Sequence, residues 1–421
     1  MHEGRGSMHG GSWRPLVVWI LMAAATILVV DCGDDWVGSH RFRTFMEDGV
    51  RVAETVGGPA FTDSLFRFEE VLRLDQDPAE ELSQLNRVTS FDRGPDGRYY
   101  VLDGRDCRVV VYETDGVYRS SFGRGGGGPG EFRNPNSMFF AGDTLVVYDT
   151  ALQRASRFTL DGRHLDSVRQ SNGGSPYLVV PHGGLLIGVD SEGWRPANIQ
   201  YGRPRALVTR ASTGDTVAMV RGDFVPESRF TDLTEPGGNY RGSYSYLQMG
   251  GHPEMVVTPD YDIVVAQGDI GLIQVFSVSG EPRLRIRVVY SERPIDAAFR
   301  DRYFAAWDSA AAAWGRSLHE DVRERVAFAE KVGFSDDLLV DDRGWFWLMD
   351  PLNQLYATTP DAGWWRVVDA EGRYLGRALV PGRPHAIKDG LLMSVRYEES
   401  TGEQIPTVYR IVPMVEGIVY P

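Results

Sequence analysis

The chain has 421 residues, 42% of them hydrophobic and 24% charged, with a formal net charge of −14. This balance excludes a nucleic-acid binder, because a phosphate backbone needs a dense basic face and no Lys/Arg cluster supplies one. Two cysteines, Cys32 and Cys107, are too few for a disulfide framework.

At the N-terminus, Arg5 and Arg14 precede a charge-free run from Leu16 to Val30, followed at once by Asp31-Cys32-Gly33-Asp34-Asp35. A positive start, an apolar run and a polar exit describe an export signal, and fifteen apolar residues are short for a relaxed transmembrane helix. Residues 1–32 therefore read as an export signal or a membrane anchor, which places the chain outside the cytoplasm, tethered in a bacterial cell envelope. The segment resembles a bacterial lipoprotein signal with Cys32 as the acylated residue, although Asp31 stands where a small residue is expected. The alternative is an uncleaved anchor with an incidental cysteine. Residues 33–63 are mixed and Gly-containing without clear period, and read as a tether.

From residue 64 a unit of about 40 residues recurs. An apolar segment runs into a tight turn, and a second apolar segment ends six residues past it. The second segments read Gly97-Arg-Tyr-Tyr-Val-Leu-Asp103, Asp143-Thr-Leu-Val-Val-Tyr-Asp149, Gly184-Leu-Leu-Ile-Gly-Val-Asp190, Tyr261-Asp-Ile-Val-Val-Ala-Gln267, Gly344-Trp-Phe-Trp-Leu-Met-Asp350 and Gly390-Leu-Leu-Met-Ser-Val-Arg396. Six such units, each of three or four short strands, predict an all-β, six-bladed β-propeller over 64–421.

The blades are expected at 86–122, 134–168, 176–220, 253–289 and 337–379, with an incomplete sixth over 386–412. The strand-like segment 65–74 has no partner in its own unit, so the ring should close by N-terminal strand closure, with this segment as the outer edge of blade six. After Val289 the period changes. Ile295, Phe299, Tyr303, Trp307, Ala311, Trp314, Leu318, Val322 and Val326 recur every three or four positions, predicting a helical insertion over about 292–333, between blades four and five, packed on the body. Trp345 and Trp347 should face one way from their strand and Phe346 the other.

Blade one and the link after it, Arg108-Val-Val-Val-Tyr-Glu-Thr-Asp-Gly116, then Phe122-Gly, Gly130-Glu-Phe and Pro135, resemble the NHL-type repeat. The whole from about 64 to 413 resembles the bacterial exported six-bladed β-propeller proteins. That resemblance implies fold and compartment and carries no reaction.

Two sets of residues are candidates for chemistry. Asp103, Asp149, Asp190 and Asp350 share the sixth position after the turn, with Gln267 and Arg396 in the remaining slots. One rim of carboxylates is a possible set of ligands for calcium, while Asp ending a strand also serves as a turn residue bonding nearby amides. The second set enters the inner strands. Arg87, Asn136, Tyr177, Glu254, Asp337 and His385 should line the axial mouth and could bind a small molecule, a peptide or a protein. The Gly-rich link 123–130 lacks the Lys-Ser/Thr and helix of a phosphate loop, and His164, His182, His252, His319 and His385 have no zinc-ligand spacing.

These readings give a membrane-tethered binding or scaffold module with no catalytic residue and no cofactor assigned, calcium being the one metal its residues would suit. The alternative is similar to calcium-dependent propeller hydrolases or lactonases, whose axial Glu, Asn and Asp would correspond here to Glu254 and Asn136 only, or to a metal-free lyase.

Overall fold

The computed structural model describes residues 39–74, 84–169, 178–192, 203–222, 228–231, 243–246, 249–251, 254–313, 323–324, 326–353, 362–398 and 402–420. It is a six-bladed propeller whose blades each have four antiparallel strands, in chain order from the axis outward in all but blade six, and blade four is extended on its outside by two further strands. In blade one, Val88–Arg93, Tyr99–Asp103, Arg108–Tyr112 and Tyr118–Phe122 succeed one another, and the middle two strands are buried along their whole length. That double-sided burial is why their sequences are apolar without alternation.

Blade six is completed as the unpaired segment requires. Its own strands Arg383–Lys388, Leu391–Tyr397 and Gln404–Pro413 are joined on the outside by Phe66–Arg73, antiparallel, with Phe68 opposite Ile411. The sheet of blade five sorts its aromatic side chains as expected. Trp347 and Trp345 pack toward blade six with Phe66 and Tyr420, and Phe346 packs toward blade four with Ile286 and Val264.

The tether expected over 33–63 is a strand hairpin for much of its length. Strands β1 (Arg41–Glu47) and β2 (Val50–Val56) form an antiparallel pair, and β2 lies parallel to the outer strand of blade four, Pro282–Val289. The turn is Asp48-Gly49, with φ of 51° and 79°, the left-handed pair that a two-residue hairpin demands. Burial holds the hairpin in place. Val52 and Ala53 are fully enclosed, and Ala53 packs with Ile286 between blades four and five. Residues 1–38, including Cys32, lie outside the described residues.

The insertion carries helix α1, Ala297–Ala313. Its N-cap is Asp296, whose Oδ1 accepts the Phe299 amide at 2.8 Å. The neck is closed by paired backbone bonds, Ile295 N to Glu330 O at 3.0 Å and Val332 N to Arg293 O at 2.9 Å. Ile295, Phe299, Tyr303 and Phe304 bury against Met249, just ahead of blade four, and Leu352, in the loop after the second strand of blade five. The insertion therefore covers the end of the propeller where second strands finish and inner strands begin.

Candidate functional site

The four recurring aspartates sit at that same end and are buried, with exposures of 0, 0, 4 and 1% for Asp103, Asp149, Asp190 and Asp350. Asp103 accepts the backbone amides of Asn86 at 2.9 Å, Arg87 at 3.1 Å, Arg105 at 3.1 Å and Asp106 at 3.3 Å. Asp149 repeats the pattern with Arg133 at 2.6 Å, Asn134 at 3.1 Å and Leu152 at 2.8 Å. In each case one carboxylate ties together its own turn and the link that arrives from the neighbouring blade. A carboxylate oxygen accepting amides in this way is a strong, charge-assisted contact.

An arginine near the start of the third strand completes the device, and sequence reasoning did not single it out. Arg108, Arg154 and Arg205 stand directly opposite Asp103, Asp149 and Asp190 across the ladder. Arg205 grips Asp190 through Nε at 2.8 Å and Nη2 at 2.5 Å. In blade five, Arg366 Nη2 lies 3.0 Å from Asp350, and its Nη1 donates to the Phe334 carbonyl. Arg154 reaches over the Gly-rich link and donates to the carbonyls of Gly127 at 3.1 Å, Gly128 at 2.6 Å and Glu131 at 2.6 Å. That link is a connection pinned by an arginine, with Glu131 Oε2 accepting the Gly128 amide at 2.7 Å. The signal was the Arg that opens the third segment of blade one, whose meaning depends on the register opposite Asp103.

The carboxylates of this rim are thus spent on amides and guanidinium groups. Among the described residues no three His, Cys, Asp or Glu side chains come together as a metal site. The two other slots differ. Gln267 is buried, and Arg396 lies 3.6 Å from Glu70 on the closing strand.

The axial-mouth residues occupy the same end of the inner strands but not one level of it. Glu254 and Asp337 stand one residue short of the aspartate level, Glu254 opposite Ala266 and Asp337 with its carbonyl bonded to the Met349 amide at 3.0 Å. Asn136 falls in a bulge between Pro135 and Ser137, and His385 in a bulge between Pro384 and Ala386. Such bulges re-aim a side chain. Arg87 precedes the ladder and is exposed. Its Nη2 donates to Gly104 O and to Asn134 Oδ1, both at 3.1 Å, so it bridges blades one and two. Tyr177 lies outside the described residues.

Under the insertion sits a group that the sequence did not flag. Asp336, next to Asp337, has an Oδ1 sealed from solvent with no hydrogen-bond partner among the described residues. Its amide donates to Met349 O at 3.0 Å. Burial first, and then the neighbouring Asp350 and Asp337, push its carboxyl up to about 7, against the pull of Arg366. The buried Tyr303 of α1 has its phenol pushed up by the same burial and by Asp336. Cys107 lies in the turn just ahead of the third strand, at φ 56°. It is buried, and burial raises its thiol.

A family model described as a 6-bladed beta-propeller matches residues 55–171, which run from the end of β2 through the closing strand and blades one and two. No curated protein matches. Among solved structures, the chain is similar to a Bacteroides fragilis protein inferred to be exported, at 12% identity and a TM-score of 0.48, over 86% of this chain and 99% of that one. A gluconolactonase from Xanthomonas campestris is similar at 15% identity and a TM-score of 0.40, over 84% and 99%. A virginiamycin B lyase from Staphylococcus aureus is similar at 11% identity and a TM-score of 0.36, over 84% and 90%.

Proposed function

We propose that this six-bladed propeller is an extracytoplasmic, membrane-tethered module of the bacterial cell envelope that binds a ligand or a protein partner on the face carrying the insertion. The observation that carries this reading is the commitment of the rim carboxylates. Asp103 and Asp149 accept three or four backbone amides each, and Asp190 and Asp350 are held by arginines, so the groups best suited to a cation are structural. A hydrolase of the calcium-dependent kind would instead hold its metal through an axial Glu, Asn and Asp set, of which Glu254 and Asn136 are the only counterparts in this chain.

The same face also carries Asn136, Glu254, Asp337 and His385 where the inner strands begin, together with α1. Mixed charge with an imidazole beside an apolar helix suits recognition of a small polar molecule or a peptide. NHL-type repeats and a lipidated Cys32 belong to the same reading. Among the described residues no helix is long and apolar enough to cross a membrane, so the tether rests on the sequence of residues 16–32. The reading is tested by offering a panel of simple lactones to the purified protein with calcium and with chelator. No turnover in either condition is expected, and calcium-dependent hydrolysis saturable in lactone would overturn it in favour of the hydrolase.

A further inference from the structure

We propose that the rim of blade four where the chain joins the body is laid against the lipid bilayer, so that the insertion and the axial mouth face the headgroup layer. This rests on the membrane-tethered reading above.

The register of three adjacent strands fixes where the chain arrives. Arg41 at the start of β1 stands opposite Val56 at the end of β2, and Val56 stands beside Val289 at the end of blade four's outer strand. At about 4.8 Å per strand spacing, Arg41 lies about 10 Å from Val289. The chain leaves Val289 for the insertion, and α1 begins at Ala297. His40 Nδ1 is 3.0 Å from Gly58 O, so the arriving chain is fastened to the body at this end.

The tether has little length to spare. Between the apolar run ending at Val30 and Ser39 lie residues 31–38, which span at most about 28 Å when fully extended. Turning the opposite end of the propeller to the bilayer would make the tether climb the height of β1, seven residues and about 23 Å, leaving almost no slack.

The same rim also carries apolar side chains that the described body leaves about half uncovered. Ile270 is 46% exposed in the turn between the second and third strands of blade four, and Val289 is 50% exposed. That turn is held rigid by Val288 N donating to Gly271 O at 2.9 Å and Tyr290 Oη to Asp269 O at 2.8 Å. Two apolar side chains with the exposed Arg41 beside them suit the boundary between acyl chains and phosphates. The net charge of −14 makes an anionic surface unfavourable for the body as a whole, so contact confined to this rim and driven by apolar insertion is expected on a zwitterionic bilayer.

The test uses the full-length chain with the photo-crosslinking residue p-benzoylphenylalanine placed, one variant at a time, at Ile270, Val289, Val117 or Val419. Val117 lies in the turn before the outer strand of blade one, and Val419 lies beside Tyr420, which bonds Asp341. Both are exposed at the opposite end of the propeller. Each variant is reconstituted into phosphatidylcholine vesicles, floated and irradiated, and lipid adducts are read by intact mass. Adducts at 270 and 289 at least about fivefold above those at 117 and 419 are expected, since only residues at the bilayer surface reach lipid. Flotation with equal adducts, or with more at 117 and 419, overturns the orientation alone. A chain that does not float at all overturns the tethered reading and the orientation with it.

Discussion

Replacing Asp336 by Asn is expected to remove a pH-dependent weakness at the junction of blade five and the insertion. The carboxyl ionises near 3.8 in an unfolded chain and is pushed up to about 7 in the fold. Below about pH 4 it is protonated in both states, and its contribution to stability is fully present. As pH rises toward 7 the unfolded chain releases the proton first, so stability falls with pH and levels off above 7. Moving the ionisation that far is worth about 4 kcal/mol at 1.4 kcal/mol per pH unit, and because the residue as a whole is half-buried the expected loss is reduced to about 2 kcal/mol. Urea unfolding of wild type and Asp336→Asn from pH 5 to pH 8 provides the assay, with the difference between the two proteins isolating this group. The variant should gain about 2 kcal/mol over wild type at pH 8 and less than half of that at pH 5. A constant difference across the range would refute the burial of an uncompensated carboxylate under α1.

Removal of residues 39–75 in two steps separates the hairpin from the closing strand. A chain starting at 57 uncovers Ala53's neighbours Ile286 and Gly372 and should unfold several kcal/mol more easily while staying monomeric by light scattering. A chain starting at 76 also leaves blade six with an open edge and should aggregate or lose cooperative unfolding. Gly333→Ala should cost about 3 kcal/mol or more in chemical denaturation, because a Cβ there would meet the backbone of Gly251 at 2.5 Å in the knot where two links cross. Arg154→Met should lower stability by about 2 to 3 kcal/mol and raise amide exchange across the Gly-rich link, since three carbonyls lose their charged donor.

Much of this architecture is legible in the sequence because it is set locally. A tight turn and an apolar strand ending six residues on, at an aspartate in four of the six blades, fix the second strand of each blade, and Leu65 to Leu74 is assigned to blade six because that blade alone is short of an outer strand. The hairpin at 41–56 is signalled locally only by Asp48-Gly49 between two strand-like runs, because its apolar residues find their partners far away at Ile286 and Gly372. The arginine partners were missed for a related reason. Arg108 and Asp103 are five positions apart, and only the ladder register shows that they face each other. The axial-mouth candidates stand at mixed levels of the inner strands, since bulges at Asn136 and His385 shift the count in a way that spacing alone does not show. Asp336 could not be read as buried until the insertion was seen lying over it.

The claim that the aspartate rim holds the ring together, and leaves the face above it for binding, is tested most directly by the melting of wild type and Asp103→Asn, each in calcium and in chelator. Wild type should melt at the same temperature in both, and the variant should melt lower by the same amount in both, reflecting about 1 to 2 kcal/mol from weakened amide contacts. A wild-type midpoint that rises with calcium and falls under chelator to that of Asp103→Asn would show that the carboxylates serve a cation, and would contradict the account.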